Sequence, residues 1–343
     1  VARYLFFVSE LYAFAILRPL QRAIRARGEE AAWFLERPEL ARFLRDDEVN
    51  LTTVGDVKRW QPSAVFVPGN WVPDFFPGLK VEVFHGFNVS KRSDERGHFR
   101  VRGWFDLYCT QGPATTEPFR ELADRHGYFR VVETGWPKLD PLFDGTHAQH
   151  ETDRPTVLFA STFTERISSA RILRDTIAAL AAKGEWRWIL TLHPKMAADV
   201  VESYRSLEGP NATFVETDDI LSLYTRANVL LSDTSSVVPE FLTQHKPVVT
   251  FRNTRPGPHL LNVERIEDVE PAIRRAFELP ESLEQAIDAY ARNIHPYRDG
   301  RSSERVLDAT RSAIEQGRAG LKRKPLNLGR KLQARARLGY WGF

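Results

Sequence analysis

Short runs of Val, Ile, Leu and Phe recur along this chain, and stretches of helical character separate them. No other feature narrows the fold as much. Runs that are apolar at every position are strands covered on both faces, and strands that alternate with helices assemble into parallel sheets. In the first half the predicted strands are residues 4–8, 31–35, 64–68, 81–84, 107–110 and 129–133, with helices at 10–27 and 117–126. A polar stretch at 144–155 interrupts the series, which then restarts. Strands follow at 156–160, 187–192, 213–216, 229–231 and 248–251, separated by helices at 168–183, 197–207, 219–226 and 237–244. Helices at 269–278, 282–293 and 302–316 close the series.

The expected fold is therefore α/β, with two Rossmann-like doubly wound domains facing a central cleft. Residues 1–150 would form an acceptor domain, 151–317 a nucleotide-donor domain, and 318–343 a basic tail. A chain of 343 residues with 42% hydrophobic residues is large enough for two cores. The single cysteine, Cys109, excludes an intrachain disulfide and a cysteine-built zinc site, as a reducing, cytoplasmic setting would produce. The tail carries eight basic residues and no acidic one, so the formal charge of +3 becomes −5 for residues 1–317. Two readings of this aromatic-tipped tail stay open: a peripheral contact with the anionic inner face of a membrane, or a docking arm or solvated terminus. No apolar run approaches the roughly 20 residues that span a bilayer.

Ligands of open α/β sheets bind where strands end, so polar residues just after strands are the candidates. The sharpest segment is Asn228-Val-Leu-Leu-Ser-Asp-Thr-Ser-Ser-Val-Val-Pro-Glu240. A buried strand ends near Asp233, and Thr234, Ser235 and Ser236 lead into a helix whose free N–H groups suit a donor's phosphates. Glu240, four residues beyond Ser236, would reach a ribose hydroxyl; the alternative is a plain helix cap. His193 and Lys195, after another strand, suit donor phosphates or a leaving phosphate, or else His193 caps the next helix. Arg166 is a further charge-neutralising candidate. On the acceptor side, His85 is placed as a general base turned into the cleft by Gly86, with Lys91 just beyond, or is a structural turn histidine. Lys138 and Asp140 sit in a Gly/Pro turn, as a phosphate contact or a helix cap. No GxxxxGK[ST] loop, GxGxxG fingerprint, HExxH helix or G-x-S-x-G elbow is present, which leaves hydride chemistry, zinc hydrolysis and triad hydrolysis unsupported.

Together, several segments resemble the CDP-glycerol glycerophosphotransferases, the teichoic-acid polymerase family. They are His85-Gly86, Thr134-Gly-Trp-Pro-Lys-Leu-Asp140, Leu158-Phe-Ala-Ser-Thr162, Leu192-His-Pro194, Asp219-Ile-Leu-Ser-Leu-Tyr224, Leu231-Ser-Asp-Thr-Ser-Ser-Val-Val-Pro-Glu-Phe241 and Lys246-Pro-Val-Val249. The resemblance implies a GT-B fold without metal or cofactor. It implies transfer of a polyol phosphate from a CDP-polyol to a lipid-linked or saccharide acceptor in cell-surface polymer synthesis. His85 would then activate the acceptor, His193 would aid the pyrophosphate, and Ser235, Ser236 and Glu240 would hold the donor. The sequence departs from the family after Gly86, where Phe-Asn-Val-Ser-Lys stands, and at Lys138 and Thr234. The competing readings are a GT-B glycosyltransferase or UDP-sugar epimerase, which commonly carry Gly-Gly where this chain has Ser235-Ser236, and a non-catalytic nucleotide-binding module. No RNA-recognition motif is present, so no nucleic-acid partner is expected.

Overall fold

A computed structural model describes residues 1–87, 97–146, 154–217 and 219–342, which leaves Lys91 outside the described residues. The chain forms two compact units, Val1–Asp140 with Tyr297–Phe343, and Pro141–Pro296.

The first unit is built on seven parallel strands: β1 (Arg3–Val8), β2 (Glu30–Leu35), β3 (Val49–Asn50), β4 (Ala64–Val67), β5 (Leu79–Glu82), β6 (Leu107–Thr110) and β7 (Arg130–Glu133). Their order is β3-β2-β1-β4-β5-β6-β7, so the winding reverses between β1 and β4. Helices α1 (Ala13–Ala26), α2 (Val54–Trp60) and α3 (Pro113–His126) make the crossovers. Tyr4 through Val8 are all buried because helices cover both faces of the sheet, as parallel pairing demands. In α1 the residues Phe14, Leu17, Leu20 and Ile24 recur at helical spacing and form its buried stripe. A capping box opens α2: Thr53 Oγ1 accepts from the Asp56 N–H at 3.1 Å while the Asp56 carboxylate accepts from the Thr53 N–H at 3.0 Å.

A single helical turn, α4 (Asp140–Phe143), leads into the second unit. There the strands are β8 (Thr156–Ser161), β9 (Arg187–Leu192), β10 (Ala212–Phe214), β11 (Val229–Ser232), β12 (Val248–Phe251) and β13 (Leu261–Val263), in the order β10-β9-β8-β11-β12-β13. The reversal falls between β8 and β11. The helices are α5 (Ala170–Lys183), α6 (Ala198–Arg205), α7 (Ile220–Arg226), α8 (Val237–Leu242), α9 (Val269–Glu278) and α10 (Glu281–Ile294).

The chain then returns to the first unit as α11 (Ser302–Gln316) and α12 (Leu328–Arg337). The sequence placed α11 at the end of the second series; the structure packs it in the first unit. The residue that anchors it is Asp140, whose carboxylate accepts from the Ser302 N–H at 2.7 Å and the Ser303 N–H at 2.8 Å. Asp140 is thus a helix cap and its oxygens are not turned to a phosphate. Burial raises its pKa, and the Ser302 and Ser303 donors oppose that rise. Asp140→Ala is expected to cost about 1–2 kcal/mol, the usual loss of a capping acceptor, and to lower the midpoint of thermal unfolding by several degrees. An unchanged melting curve would contradict the capping role.

The basic tail is a docked arm. Its Lys322 N–H donates to Gly127 O at 2.8 Å, and Lys324 Nζ reaches Asp106 Oδ1 at 2.7 Å and Trp104 O at 2.7 Å. Arg337 pairs with Glu36, Arg335 lies 3.9 Å from Asp74, and the Tyr340 ring packs 4.8 Å from that of Phe75. Among the described residues, no helix is long and apolar enough to cross a membrane.

Candidate functional site

In the second unit the loops that follow β8 and β11 meet at the point where the winding reverses, and Asp233 ties them together. It stands one residue after β11 and is 0% exposed. Its carboxylate accepts from Ser161 Oγ at 2.5 Å, the Thr162 N–H at 3.0 Å, the Ser169 N–H at 2.8 Å and Ser169 Oγ at 2.9 Å. Burial raises its pKa and these donors oppose the rise. The sequence placed Asp233 among donor-binding groups. With its oxygens committed to these four donors, it acts instead on the shape of the β8–α5 loop.

That arrangement also answers the capping alternative for the neighbouring serines. Ser236 occupies the position that precedes α8, yet its side chain makes no capping hydrogen bond. Ser236 is exposed, and Ser235 is buried. A third loop, after β12, braces the turn from behind. Thr234 Oγ1 accepts from the Thr254 N–H at 2.9 Å, and Asn253 Nδ2 donates to Asp233 O at 3.2 Å. The Arg255 N–H donates to Asn253 Oδ1 at 2.8 Å, and the Arg255 side chain is exposed, with no carboxylate partner among the described residues. Glu240 is buried at 4% exposure and accepts from the Tyr224 hydroxyl at 3.2 Å.

His193 follows β9. Its Nδ1 accepts from the Lys195 N–H at 3.0 Å, so the neutral ring carries its proton on Nε2 and presents a donor there. The Phe163 ring lies 4.4 Å away and also carries Lys195 Nζ 5.8 Å above its centroid. Arg166, on the same β8–α5 loop as Phe163, is exposed and has no carboxylate partner among the described residues.

The first unit repeats the logic at its own reversal. His85 follows β5, and its Nδ1 lies 3.0 Å from Pro68 O, just beyond β4. Its ring stacks on Tyr12, which follows β1, with centroids 5.4 Å apart. A carbonyl can only accept, so Nδ1 carries the proton and Nε2 keeps its lone pair, the arrangement of a base. Desolvation lowers the His85 pKa; the Pro68 carbonyl opposes this and the positive charge of Arg102 adds to it. Imidazole is therefore neutral at neutral pH.

The sequence assigned the turn here to Gly86. In the structure Gly86 does not take the left-handed backbone; Phe84 does, at φ 58°. Such a conformation costs a bulky residue on the order of 1–3 kcal/mol and persists only where its surroundings enforce it. Here Trp136 Nε1 donates to Phe84 O at 3.3 Å, Gln111 Nε2 donates to Gly86 O at 3.0 Å, and the Phe84 ring packs 5.2 Å from that of Phe119. Lys138 places its Nζ 5.2 Å above the ring of that same Trp136.

Two residues of this site escaped the sequence reading. Tyr12 supplies the stacking face, and its pKa is pushed up to about 12 by burial and then by the charges of Glu10 and Glu82. Arg102 NH1 donates to Asn70 Oδ1 at 3.0 Å in the turn after β4. Behind them Glu82 is a buried carboxyl held well above the usual carboxylate range by desolvation, an effect Arg102 moderates. Neither Tyr12 nor Arg102 belongs to a motif, and only strand-end position could have suggested Tyr12. Among the described residues, no group of three or more His, Cys, Asp or Glu is arranged to hold a metal ion.

Two doubly wound units, each with polar loops gathered where its winding reverses, define an enzyme of the GT-B class. Within it, the UDP-N-acetylglucosamine 2-epimerase family model matches residues 130–311, more than half of the chain, and the chain belongs to that family. The S. aureus MnaA–UDP co-structure superposes with a TM-score of 0.65 at 16% identity, covering 95% of this chain and 99% of that one. The UDP-GlcNAc 2-epimerase from Neisseria meningitidis bound to UDP-GlcNAc gives 0.63 at 14%, covering 90% and 100%. The wall teichoic acid polymerase TagF gives 0.65 at 14%, covering 91% and 89%. No curated protein matches the chain at a significant level. The glycerophosphotransferase resemblance thus has a counterpart in the fold, while the family is the epimerases. The Ser235-Ser236 pair, weighed against a UDP-sugar epimerase, did not separate the two.

Proposed function

We propose that this chain acts on a nucleotide sugar of the UDP-N-acetylglucosamine type and inverts carbon 2 of its sugar. The observation that carries this reading is the family match, which takes in the whole second unit with its three braced loops. In that unit the start of α8 at Ser235 and Ser236 and the exposed cations Arg166, Lys195 and Arg255 are assigned to the diphosphate. The Nε2–H of His193 joins them as a donor. Glu240, beside Tyr224, is assigned to the ribose. Asp233 and Thr234 hold the loops in shape. In the first unit His85 Nε2 is the base, with Tyr12 and Arg102 fixing its ring and its charge state.

One observation favours a second reading, transfer of a polyol phosphate from a CDP-polyol to an acceptor hydroxyl in cell-surface polymer synthesis. The wall teichoic acid polymerase TagF shares the fold over 91% of this chain, and the lone pair that His85 keeps on Nε2 serves equally as a base toward a hydroxyl.

Ligand-induced stabilisation separates the two. A ligand that binds only the folded state at 100 times its Kd adds about 2.7 kcal/mol. UDP-GlcNAc and UDP are expected to raise the melting temperature by several degrees, and CDP-glycerol, CDP-ribitol and CMP to leave it unchanged. In D2O, inversion at a C–H centre introduces solvent deuterium at carbon 2, visible by NMR. Stabilisation by CDP-glycerol with release of CMP would replace the first reading by the second. Stabilisation by none of them would remove both.

A further inference from the structure

Three of the four cations of helix α12 pair with acids of the first unit. Of the tail's eight basic residues, four reach acids of the first unit: Lys324 to Asp106, Lys331 and Arg335 to Asp74, and Arg337 to Glu36. Ala334 marks the buried side of the helix, at 3% exposure. At 100° per residue the opposite side is Leu328, Leu332 and Ala336, one continuous stripe. The two leucines are 64% and 55% exposed. Leu326, just before the helix, is 75% exposed, and Trp341, just after it, 61%. A soluble surface helix normally has the reverse arrangement, with charge outward and leucine inward.

The remaining cations do not compensate one another. Arg318, Lys322 and Arg323 are exposed and lie immediately ahead of the apolar side chains. None of the three meets a carboxylate among the described residues, and Arg318 NH2 donates only to Lys322 O. Residues 318–343 contain no acid that could. An apolar stripe preceded in the chain by cations without carboxylate partners matches an anionic lipid surface, where leucines and tryptophan enter the headgroup boundary and cations meet lipid phosphates. A second copy of the chain is a poor occupant, because a two-fold contact through this stripe would bring two such sets of like charge together.

We infer that the outward face of α12 with Leu326 and Trp341 is a docking surface for an anionic lipid bilayer. The contact is apolar first and electrostatic second. That ordering differs from a basic tail lying flat on the membrane, since half of the tail's positive charge is already taken up by the protein. The inference does not depend on which nucleotide the second unit binds.

The test is co-sedimentation of the full chain with vesicles of phosphatidylcholine, with and without about one-third phosphatidylglycerol. Wild type is expected to bind the phosphatidylglycerol vesicles, to bind the neutral ones about tenfold or more weakly, and to lose affinity at high salt. The variant Leu328→Ser/Leu332→Ser/Trp341→Ser is expected to lose binding by about tenfold or more, with its melting temperature and its turnover without vesicles unchanged. The variant Arg318→Gln/Lys322→Gln/Arg323→Gln is expected to lose the preference for phosphatidylglycerol. Failure of wild type to bind either vesicle overturns the inference. Binding of the serine variant as strong as wild type overturns it too, as does a dimer of wild type in solution that the serine variant abolishes.

Discussion

His85→Ala is expected to lower turnover by about two to four orders of magnitude, the range for removing a positioned general base, while nucleotide-induced stabilisation of the protein stays at its wild-type value. The separation is the informative part, because the loops assigned to the nucleotide belong to the second unit and His85 to the first. The pH profile carries the sign. Desolvation and Arg102 hold the imidazole pKa below its usual 6.5, so Nε2 is free across neutral pH and is lost only as pH falls through the lowered value. The acid limb of kcat/KM is therefore expected below pH 6.5. Arg102→Ala removes a neighbouring positive charge and is expected to move that limb upward while leaving its shape intact. A merely structural Arg102 would change stability without moving the limb. Turnover near wild type in His85→Ala, or an acid limb above pH 6.5, would show that His85 is not the base.

The elements whose ends were most legible from sequence were interior strands. Residues 107–110, 187–192 and 248–251 are paired on both sides and mostly buried, and their observed ends coincide with the predicted ones. Of the four edge strands, β7 and β10 were anticipated at 129–133 and 213–216, and the other two were not legible. β3 and β13 pair on one side only and are exposed or half-buried, so they carry no apolar run to mark them. The home of α11 was hidden for a different reason. Its amphipathic stripe states that it packs on something, and the choice between sheets is made by Asp140, 162 residues away in sequence, at its N-terminus.

The candidate site divides in the same way. Strand-end position alone found His85, His193 and the 233–236 turn, because a doubly wound sheet leaves little else for a polar residue there. It did not reveal which of those residues face outward. Asp233 and Ser236 look equally suited to a ligand in sequence, yet one is buried among four donors and the other caps nothing. Residues 252–255 were passed over because their role lies in a contact with Thr234 and Asp233 across two loops. Phe84 is the clearest limit of sequence reading. A glycine stands two residues later, the strain falls on the phenylalanine, and only the surrounding contacts of Trp136, Gln111 and Phe119 could disclose it.

Asp233→Ala is expected to be the most damaging single change in the second unit. The carboxylate satisfies two buried backbone N–H groups, of Thr162 and Ser169, and two hydroxyls, of Ser161 and Ser169. Alanine leaves both N–H groups without an acceptor, at about 1–3 kcal/mol each, and opens a small cavity beside them. A loss of about 3–5 kcal/mol follows, which lowers the melting midpoint by on the order of 10 °C. Asp233→Asn offers a single oxygen and turns an amide N–H2 toward existing donors, so it should recover little. Ser236→Ala provides the contrast. Its hydroxyl is exposed and caps nothing, so stability is expected to change by less than about 0.5 kcal/mol. If the turn binds phosphate, ligand-induced stabilisation falls in both variants, in Asp233→Ala because the 161–169 loop loses its shape and in Ser236→Ala because a donor is lost. Calorimetry of both variants with and without nucleotide separates the cases. A stable Asp233→Ala that retains full nucleotide response would show that the loops hold their shape without this carboxylate, and the phosphate assignment of the turn would then lose its structural basis.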